Sequence, residues 1–410
     1  MVPIVSAGTD NPHTTCPRHV AILGDCIDVL PQLAHHSCDL LDGPVDIVLI
    51  DPPYNTGAQR TYKDSYTAWY PWLQTRIAAA LPLLADTAVI GVFIGPDELV
   101  RLRTLLDALL GAGNHLATIV WAGRGSPAAQ FTAGGVDYLV VYARKRSALR
   151  GVRWREPHGP ADELVALAAD VARRDGTEAA EKAVAAWKKA HPDIPTGLGP
   201  YRHVDEDGRL WRAGPLAKPA GKRRGQFYDI VHPVTGGVCP APDNGWRMTP
   251  EQLSEWDQDG QIVWPPDHSR APRRRIWLNN SGGIPPAEVF HTERHLETRR
   301  LDKMLCGHRF DNPKDVEVLA RWIKMWAGPQ AVVLDFFAGS GSTGEAVMAL
   351  NAADGGTRQA VLVTNDEVYE DVLVPRFVAV CDGVRPDGSA WPGKIEGASI
   401  SFVRDLGKTA

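Results

Sequence analysis

Val45–Ile50 (Val-Asp-Ile-Val-Leu-Ile) is almost wholly apolar and rich in β-branched residues. That is the signature of a strand covered on both faces. A strand of this kind restricts the chain to an α/β architecture in which functional groups are delivered at the strand's carboxyl end. Asp51-Pro52-Pro53-Tyr54 follows at once. The prolines fix the backbone and remove two N–H donors, which leaves carbonyls free to accept. A carboxylate, an acceptor carbonyl and a stacking ring within four residues suit a planar ring that bears an exocyclic amine.

A second run of the same type lies far downstream. Ala331–Phe337 (Ala-Val-Val-Leu-Asp-Phe-Phe) reads as another buried strand and passes into Ala338-Gly339-Ser340-Gly341-Ser342-Thr343-Gly344. Ala346, Val347 and Leu350 then set a helical pattern. A strand, a glycine turn and a helix N-terminus form a site for a nucleotide-like ligand, because glycine lets backbone N–H groups approach closely. Residues 339 to 344 also satisfy Gly-x-Gly-x-x-Gly, and Asp366 and Glu367 follow. Taken alone, this pattern supports a nicotinamide dinucleotide; beside Asp51–Tyr54 that reading is set aside.

Together the two stretches resemble the S-adenosylmethionine-dependent DNA amino-methyltransferases. The tetrapeptide precedes the glycine loop, the permuted order of the β-group, which includes the modification (Mod) subunits of type III restriction systems. Further stretches carry the resemblance: Gly24-Asp25-Cys26, Tyr62-Lys63-Asp64-Ser65 with Trp69, and Asp137-Tyr138-Leu139-Val140-Val141-Tyr142. Phe310-Asp311-Asn312-Pro313-Lys314 and Leu350-Asn351-Ala352-Ala353-Asp354-Gly355-Gly356 flank the cofactor strand. The resemblance implies a circularly permuted, Rossmann-like, doubly wound α/β sheet. It divides the chain into a catalytic half (1–145), an inserted target-recognition region (146–302) and a cofactor-binding half (303–410).

The resemblance also assigns roles. Asp51 and the Pro52 carbonyl would accept the two N–H bonds of an adenine N6 amine, with Pro53 stiffening the turn. Tyr54 would stack on the target base, flipped out of double-stranded DNA to reach the site. The cofactor is S-adenosylmethionine. Gly339 and Gly341 would approach its methionine moiety within the loop Phe337, Ala338, Gly339, Ser340, Gly341, Ser342 and Thr343, and Asp335 would accept from its ammonium. Asp25, with Cys26, resembles an acidic contact near the cofactor's adenine, and Asn312 and Lys314 belong to a flanking cofactor motif. Asn365 stands at the strand end where a ribose partner is expected. Asp rather than Ser before Pro-Pro-Tyr favours adenine-N6 over cytosine-N4 methylation. A DNA-binding specificity subunit with weak or no catalysis and an RNA methylase are the other readings, and intact Asp51, Tyr54 and Gly339 speak against the former. A homodimer and a role beside a restriction or other defence subunit are expected on resemblance only. Two departures stand out. Type III Mod subunits are commonly longer, and Gly95-Pro96-Asp97-Glu98 replaces an Asp-Asp that relatives often show.

Composition fits an ordinary globular chain, with 44% hydrophobic and 23% charged residues. No basic-then-apolar leader or membrane-length apolar run is visible, so a cytoplasmic location is expected. The 6 cysteines form no Cys-x-x-Cys pair and the 13 histidines show no ligand spacing, so no metal is expected. The net charge of −5 hides a segregation: Arg144 to Lys303 holds 27 basic and 22 acidic residues, the remainder 17 and 27. Arg144-Lys145-Arg146, Lys222-Arg223-Arg224 and Arg273-Arg274-Arg275 are therefore the expected DNA-phosphate contacts. Strands are expected near Ala21, Val45, Val89, Thr118 and Tyr138 and at Gln359–Thr364, with helices over Trp69–Leu84, Glu98–Leu110 and Ala161–Ala190. Trp121, Trp246 and Trp264 read as core or interface rather than base-stacking residues.

Overall fold

A computed structural model describes residues 4–7, 19–35, 40–123, 125, 130–132, 134–156, 159–192, 194, 196–219, 225–278, 285–293, 295–365, 368–404 and 406. The chain forms two compact units, Met1–Trp154 with Pro286–Ala410, and Arg155–Pro285. The second is narrower than the insert read from the sequence, 146–302, since the segments on either side of it fold with the first.

The first unit begins with β1 (Ile4–Ala7), β2 (His19–Leu23), α1 (Cys26–His35), β3 (Val45–Ile50), α2 (Trp69–Ala80), β4 (Leu84–Ile94), α3 (Leu99–Leu110), β5 (His115–Ala122) and β6 (Val136–Ala143). The second unit contains α4 (Gly159–Asp175), α5 (Thr177–Ala190), β7 (His203–Val204), β8 (Leu210–Pro215), β9 (Ile230–Val231), β10 (Val238–Cys239), α6 (Pro250–Gln258), β11 (Ile262–Val263) and β12 (Arg273–Trp277). The chain then returns to the first unit through β13 (Val289–His291), α7 (His295–Met304), α8 (Val316–Trp326), β14 (Val332–Asp335), α9 (Ser342–Asp354), β15 (Gln359–Thr364), α10 (Val374–Asp382) and β16 (Ile400–Val403).

Ten strands make one sheet in the order β1-β16-β2-β15-β14-β3-β4-β6-β5-β13. Neighbours from β16 to β4 are all parallel. β6 runs antiparallel between β4 and β5, β1 is antiparallel at one edge and β13 is parallel to β5 at the other. The central neighbours are β14 and β3, paired at Val333↔Ile47 and Leu334↔Val48. From β14 the chain turns through α9 to β15 on one side, and from β3 through α2 to β4 on the other. Connections that diverge between adjacent parallel strands open a crevice at their carboxyl ends.

Side-chain alternation along the strands separates two cores. Ile47 and Leu49 face one with Leu319, Trp322, Val347 and Phe377 from α8, α9 and α10; Val48 and Ile50 face the other with Leu30, Leu73 and Leu105 from α1, α2 and α3. The two halves of the chain thus each cover one face of a shared sheet. The helix expected to reach Leu84 stops at Ala80, because Pro82 breaks it into a single 3₁₀ turn before β4. The short edge strands β1 and β13, and β16 beside β1, are not among the strands expected from the sequence.

In the second unit the alanine-rich stretch is two helices broken at Gly176, packed on β7 and β8 through Leu164, Ala168, Val184, Val204 and Leu210. The Pro/Gly/Trp-rich remainder forms an antiparallel sheet, β11-β12-β8-β7, and the hairpin β9–β10 around Trp246 and Met248.

Gly91 of β4 shows how tightly α8 sits on the sheet: a Cβ there would lie 2.5 Å from the Trp326 ring. Gly91→Ala is therefore expected to destabilise the first unit by about 1–3 kcal/mol through overpacking, measured by urea denaturation; an unchanged midpoint would show that the indole moves aside freely.

Candidate active site

A cavity of about 320 Å³ opens where β3 and β14 end. It gathers Asp51 and Pro53 with Asp335, Phe337, Ala338, Gly339, Ser340, Ser342 and Thr343, and adds Asp25, Cys26, Asn312, Lys314 and Asn365. Pro52, Tyr54 and Gly341 adjoin these residues in sequence but do not line the cavity. Asp366 and Glu367 lie outside the described residues.

The turn after β3 is held from several sides. Trp69 Nε1 donates to the Pro53 carbonyl at 2.8 Å, whereas no described residue donates to the Pro52 carbonyl. Asp64 accepts from the Asn55 N–H at 2.8 Å and the Thr56 hydroxyl at 2.5 Å, and Asn55 in turn bonds Glu98 and the Tyr66 N–H. The loop beyond is tied to the segment before α8: the Thr61 N–H donates to Asp311 at 2.8 Å, and Tyr62 stacks on Phe310 with ring centroids 5.4 Å apart.

Lys314 reaches this turn from the far half of the chain. Its Nζ lies 2.8 Å from Asp51 Oδ2, 3.1 Å from the Tyr54 hydroxyl and 3.8 Å from Asp137 Oδ2. The Tyr54 hydroxyl donates to Asp137 at 3.2 Å. Asp51 Oδ1 is buried and has no hydrogen-bond partner among the described residues. Burial pushes the Asp51 carboxyl above its ordinary range and Asp137 adds to this, against the opposing pull of the Lys314 ammonium. Burial and the charges of Asp51 and Asp137 push the Tyr54 phenol well above its ordinary value, so it stays a neutral donor. The resemblance put Lys314 on the cofactor side, and the structure sets its ammonium on Asp51. Asp137 carried no role in the sequence reading; β6 begins at the cleft only because it runs antiparallel.

The glycine loop is organised from beneath. Asp335 accepts from the Phe337 N–H at 3.0 Å and from the Thr343 hydroxyl at 2.6 Å. Gly341 has φ 84°, and a Cβ there would lie 2.7 Å from Phe377, so both conformation and packing demand glycine. Behind the loop, fully buried Arg376 bonds Glu345 at 2.7 Å, Glu297 at 3.1 Å, and the Ser340 and Ser342 hydroxyls at 3.1 and 3.0 Å. Arg300 also pairs with Glu345 and Glu297. Although burial works against it, the two guanidinium groups hold the Glu345 carboxyl below its usual range. At the other end of the cleft Arg76 grips Asp25 at 2.7 Å and lies over the Trp72 ring. Burial pushes the Cys26 thiol up to about 12, which leaves it uncharged.

The basic clusters fare differently. Arg144, Lys145 and Arg146 follow the end of β6, where the Arg144 N–H pairs with Ala88 near the start of the buried part of β4; this is the sheet edge opposite the cleft. Lys145 pairs with Asp86, and Arg146 bonds the His115 carbonyl. Lys222, Arg223 and Arg224 lie outside the described residues. In the second unit Arg273 is exposed, Arg274 stacks on Trp256 at 3.7 Å while bonding Gln261, and Arg275 stacks on Trp211 at 4.8 Å. Trp121 and Trp246 are buried, and Trp264 donates to Asp257. Among the described residues no His/Cys/Asp/Glu cluster could hold a metal, and no helix is long and apolar enough to cross a membrane.

Residues 45–357 match the family described as DNA methylase, of N6 and N4 amino-methyltransferases. The chain is 23% identical over 391 residues to the Mod subunit of a type III restriction-modification enzyme of Escherichia coli, covering 86% of this chain and 59% of that protein. It is 27% identical over 397 residues to a type III Mod subunit of Salmonella typhimurium, covering 88% and 54%. A type II methyltransferase of Klebsiella pneumoniae is 27% identical over 362 residues, covering 78% and 75%. The chain thus spans somewhat over half the length of the two Mod subunits.

Two expectations follow from the loop. Removing Arg376 leaves two buried carboxylates, Glu345 and Glu297, to share Arg300 alone, so Arg376→Met is expected to lose about 3–5 kcal/mol of stability, read by chemical denaturation. Burial also raises Asp335 to about 7. Its proton is then bound in the folded state and absent from the unfolded chain between its ordinary value and about 7, so stability falls as pH rises through that window. Asp335→Asn is expected to flatten this part of the pH–stability curve, and an unchanged slope would refute the assignment.

Proposed function

The chain belongs to the N6/N4 DNA methylase family, and on that premise we propose that it transfers a methyl group from S-adenosylmethionine to the N6 amine of an adenine at a specific site in double-stranded DNA. The observation that carries this reading is the acceptor pair at the end of β3: the buried, unpartnered Asp51 Oδ1 and the unclaimed Pro52 carbonyl. Two acceptors fixed on a rigid turn match the two N–H bonds of an exocyclic amine. Holding that amine by both hydrogens directs its nitrogen lone pair away from the turn. Positioning of this kind, with local electrostatics, supplies the main acceleration where no covalent enzyme intermediate is needed.

The residues of the cleft fit the cofactor. The left-handed turn at Gly341 folds the loop back at the N-terminus of α9, beside carboxylates and the planar rings of Phe337 and Trp72. Asp335 and the Phe337–Thr343 loop, with Asp25, Cys26, Asn312 and Asn365, would hold it. When bound, S-adenosylmethionine supplies an electrophilic methyl group on a sulfonium. Tyr54 would line the base site, its hydroxyl fixed by Asp137 and Lys314. The second unit, with its stacked arginines and tryptophans, would be the target-recognition region. The likeness to Mod subunits supports work within a restriction-modification or related defence system.

Asp before Pro-Pro-Tyr favours adenine. The test is modification-sensitive sequencing of DNA from a methylation-deficient host expressing the protein, with Asp51→Ala as control. N6-methyladenine at one short motif, absent in the control, is expected. N4-methylcytosine would keep the reaction and overturn the base; no mark on DNA would overturn the proposal.

A further inference from the structure

Asp51 does not stand alone in the cleft wall. One ammonium, Lys314, faces two carboxylates delivered by different elements, Asp51 at the end of β3 and Asp137 at the start of β6. It touches the first at 2.8 Å and stands 3.8 Å from the second. The Tyr54 hydroxyl bridges the pair, donating to Asp137 and receiving from Lys314. The ammonium is confined as well, lying 5.1 Å from the centre of the Tyr54 ring and 5.4 Å from that of Phe93. Lys314 is aimed by its own backbone: Asn312 takes a left-handed φ of 53°, Pro313 follows, and Asp315 caps α8. The ammonium engages Oδ2 of Asp51 and leaves Oδ1 bare.

We propose that Lys314 and Asp137 are positioning residues for the acceptor Asp51: Lys314 holds the carboxylate by Oδ2 so that Oδ1 meets the target amine, and passes its pairing to Asp137 as Asp51 takes the amine's proton. This deepens the proposed function and rests on it for the identity of the amine. In the proton step one N–H bond of the methylated amine breaks and its electron pair stays on nitrogen. An O–H bond forms at Asp51 Oδ1 and the carboxylate becomes neutral. Lys314 remains charged throughout. Without Asp137 it would be left facing a neutral acid, a costly state for a largely buried ammonium. With Asp137 within reach, the charge stays balanced on both sides of the transfer, and the proton then leaves to solvent.

The two partners act on Asp51 in opposite senses. An adjacent cation favours the ionised carboxyl and an adjacent anion disfavours it. The other titratable groups facing Asp51 are the phenols of Tyr54 and Tyr62, both neutral, and Asp335 on β14. Removing Lys314 therefore moves the Asp51 midpoint up in pH, and removing Asp137 moves it down. A merely structural role would not produce opposite shifts.

The experiment uses the full chain labelled with ¹³C at aspartate side-chain carboxyls, with Asp51→Asn subtracted to assign the Asp51 signal, and compares Lys314→Met and Asp137→Asn. Melting curves establish that each variant is folded. The expected result is a higher midpoint in Lys314→Met and a lower one in Asp137→Asn. Affinity for S-adenosylhomocysteine should stay within about threefold in both, while the single-turnover methylation rate falls about tenfold or more. Midpoints that stay put or move together would overturn the proposal. So would a large loss of cofactor affinity in Lys314→Met with the Asp51 titration unchanged, which would make Lys314 a cofactor contact. Opposite shifts in a protein that marks no DNA would support the charge arrangement and sink the proposed function instead.

Discussion

Everything in the site depends on the pairing of β3 with β14. Only two residue pairs define their register, Val333↔Ile47 and Leu334↔Val48. They join segments separated by most of the chain, and the parallel direction sets both carboxyl ends at the same edge. Asp51 and Asp335 thereby face one cleft. Because the chain leaves β14 towards one side of the sheet and β3 towards the other, neither connection crosses that edge and the crevice stays open. The two apolar cores secure the arrangement: α1, α2 and α3 clamp one face of the central strands, and α8, α9 and α10 clamp the other. A slip of one residue would turn every core side chain of a strand to the wrong face. The position of these two carboxylates is therefore fixed by burial of Ile47, Leu49, Val333 and their neighbours.

The parts of this arrangement that were legible in the sequence share one property, a local signal. Val45–Ile50 and Ala331–Phe337 announce themselves by composition. The Pro-Pro turn and the glycine loop do so by restricting or freeing the backbone, and most of the residues they carry line one cavity. What escaped the reading depends on distant packing. Lys314 was legible only as part of a flanking cofactor motif, and the assembled sheet is what brings it to Asp51. Arg376, Glu345, Glu297 and Arg300 look in sequence like charges on the outer faces of helices, yet Arg376 is fully buried. Strand direction is equally silent. Arg144–Arg146 were grouped with the other basic clusters on composition, but β6 runs antiparallel to β4 and carries them to the edge opposite the cleft. The same reversal brings Asp137, at the other end of that strand, to the site.

The two charged clusters around the glycine loop differ in a way that separates support from function. Behind the loop, two carboxylates, Glu345 and Glu297, meet two guanidinium groups, Arg376 and Arg300, and the serine hydroxyls complete the bonding. Such a cluster matches its charges in number: the guanidinium groups hold Glu345 below its usual range, although burial raises Glu297. In front of the loop, Asp51 and Asp137 share the Lys314 ammonium, Asp335 stands near Asp51, and Asp51 Oδ1 has no hydrogen-bond partner among the described residues. Burial then raises Asp51 and Asp335 against their tendency to ionise. An isolated excess of buried carboxylate destabilises a fold, and such departures from local consistency concentrate where a ligand is to be met. A cationic ligand with its own hydrogen-bond donors would supply both missing features, charge and donors. The rear cluster thus meets its charges within the fold, whereas the front leaves charge and acceptors that the proposed cofactor and target amine would meet.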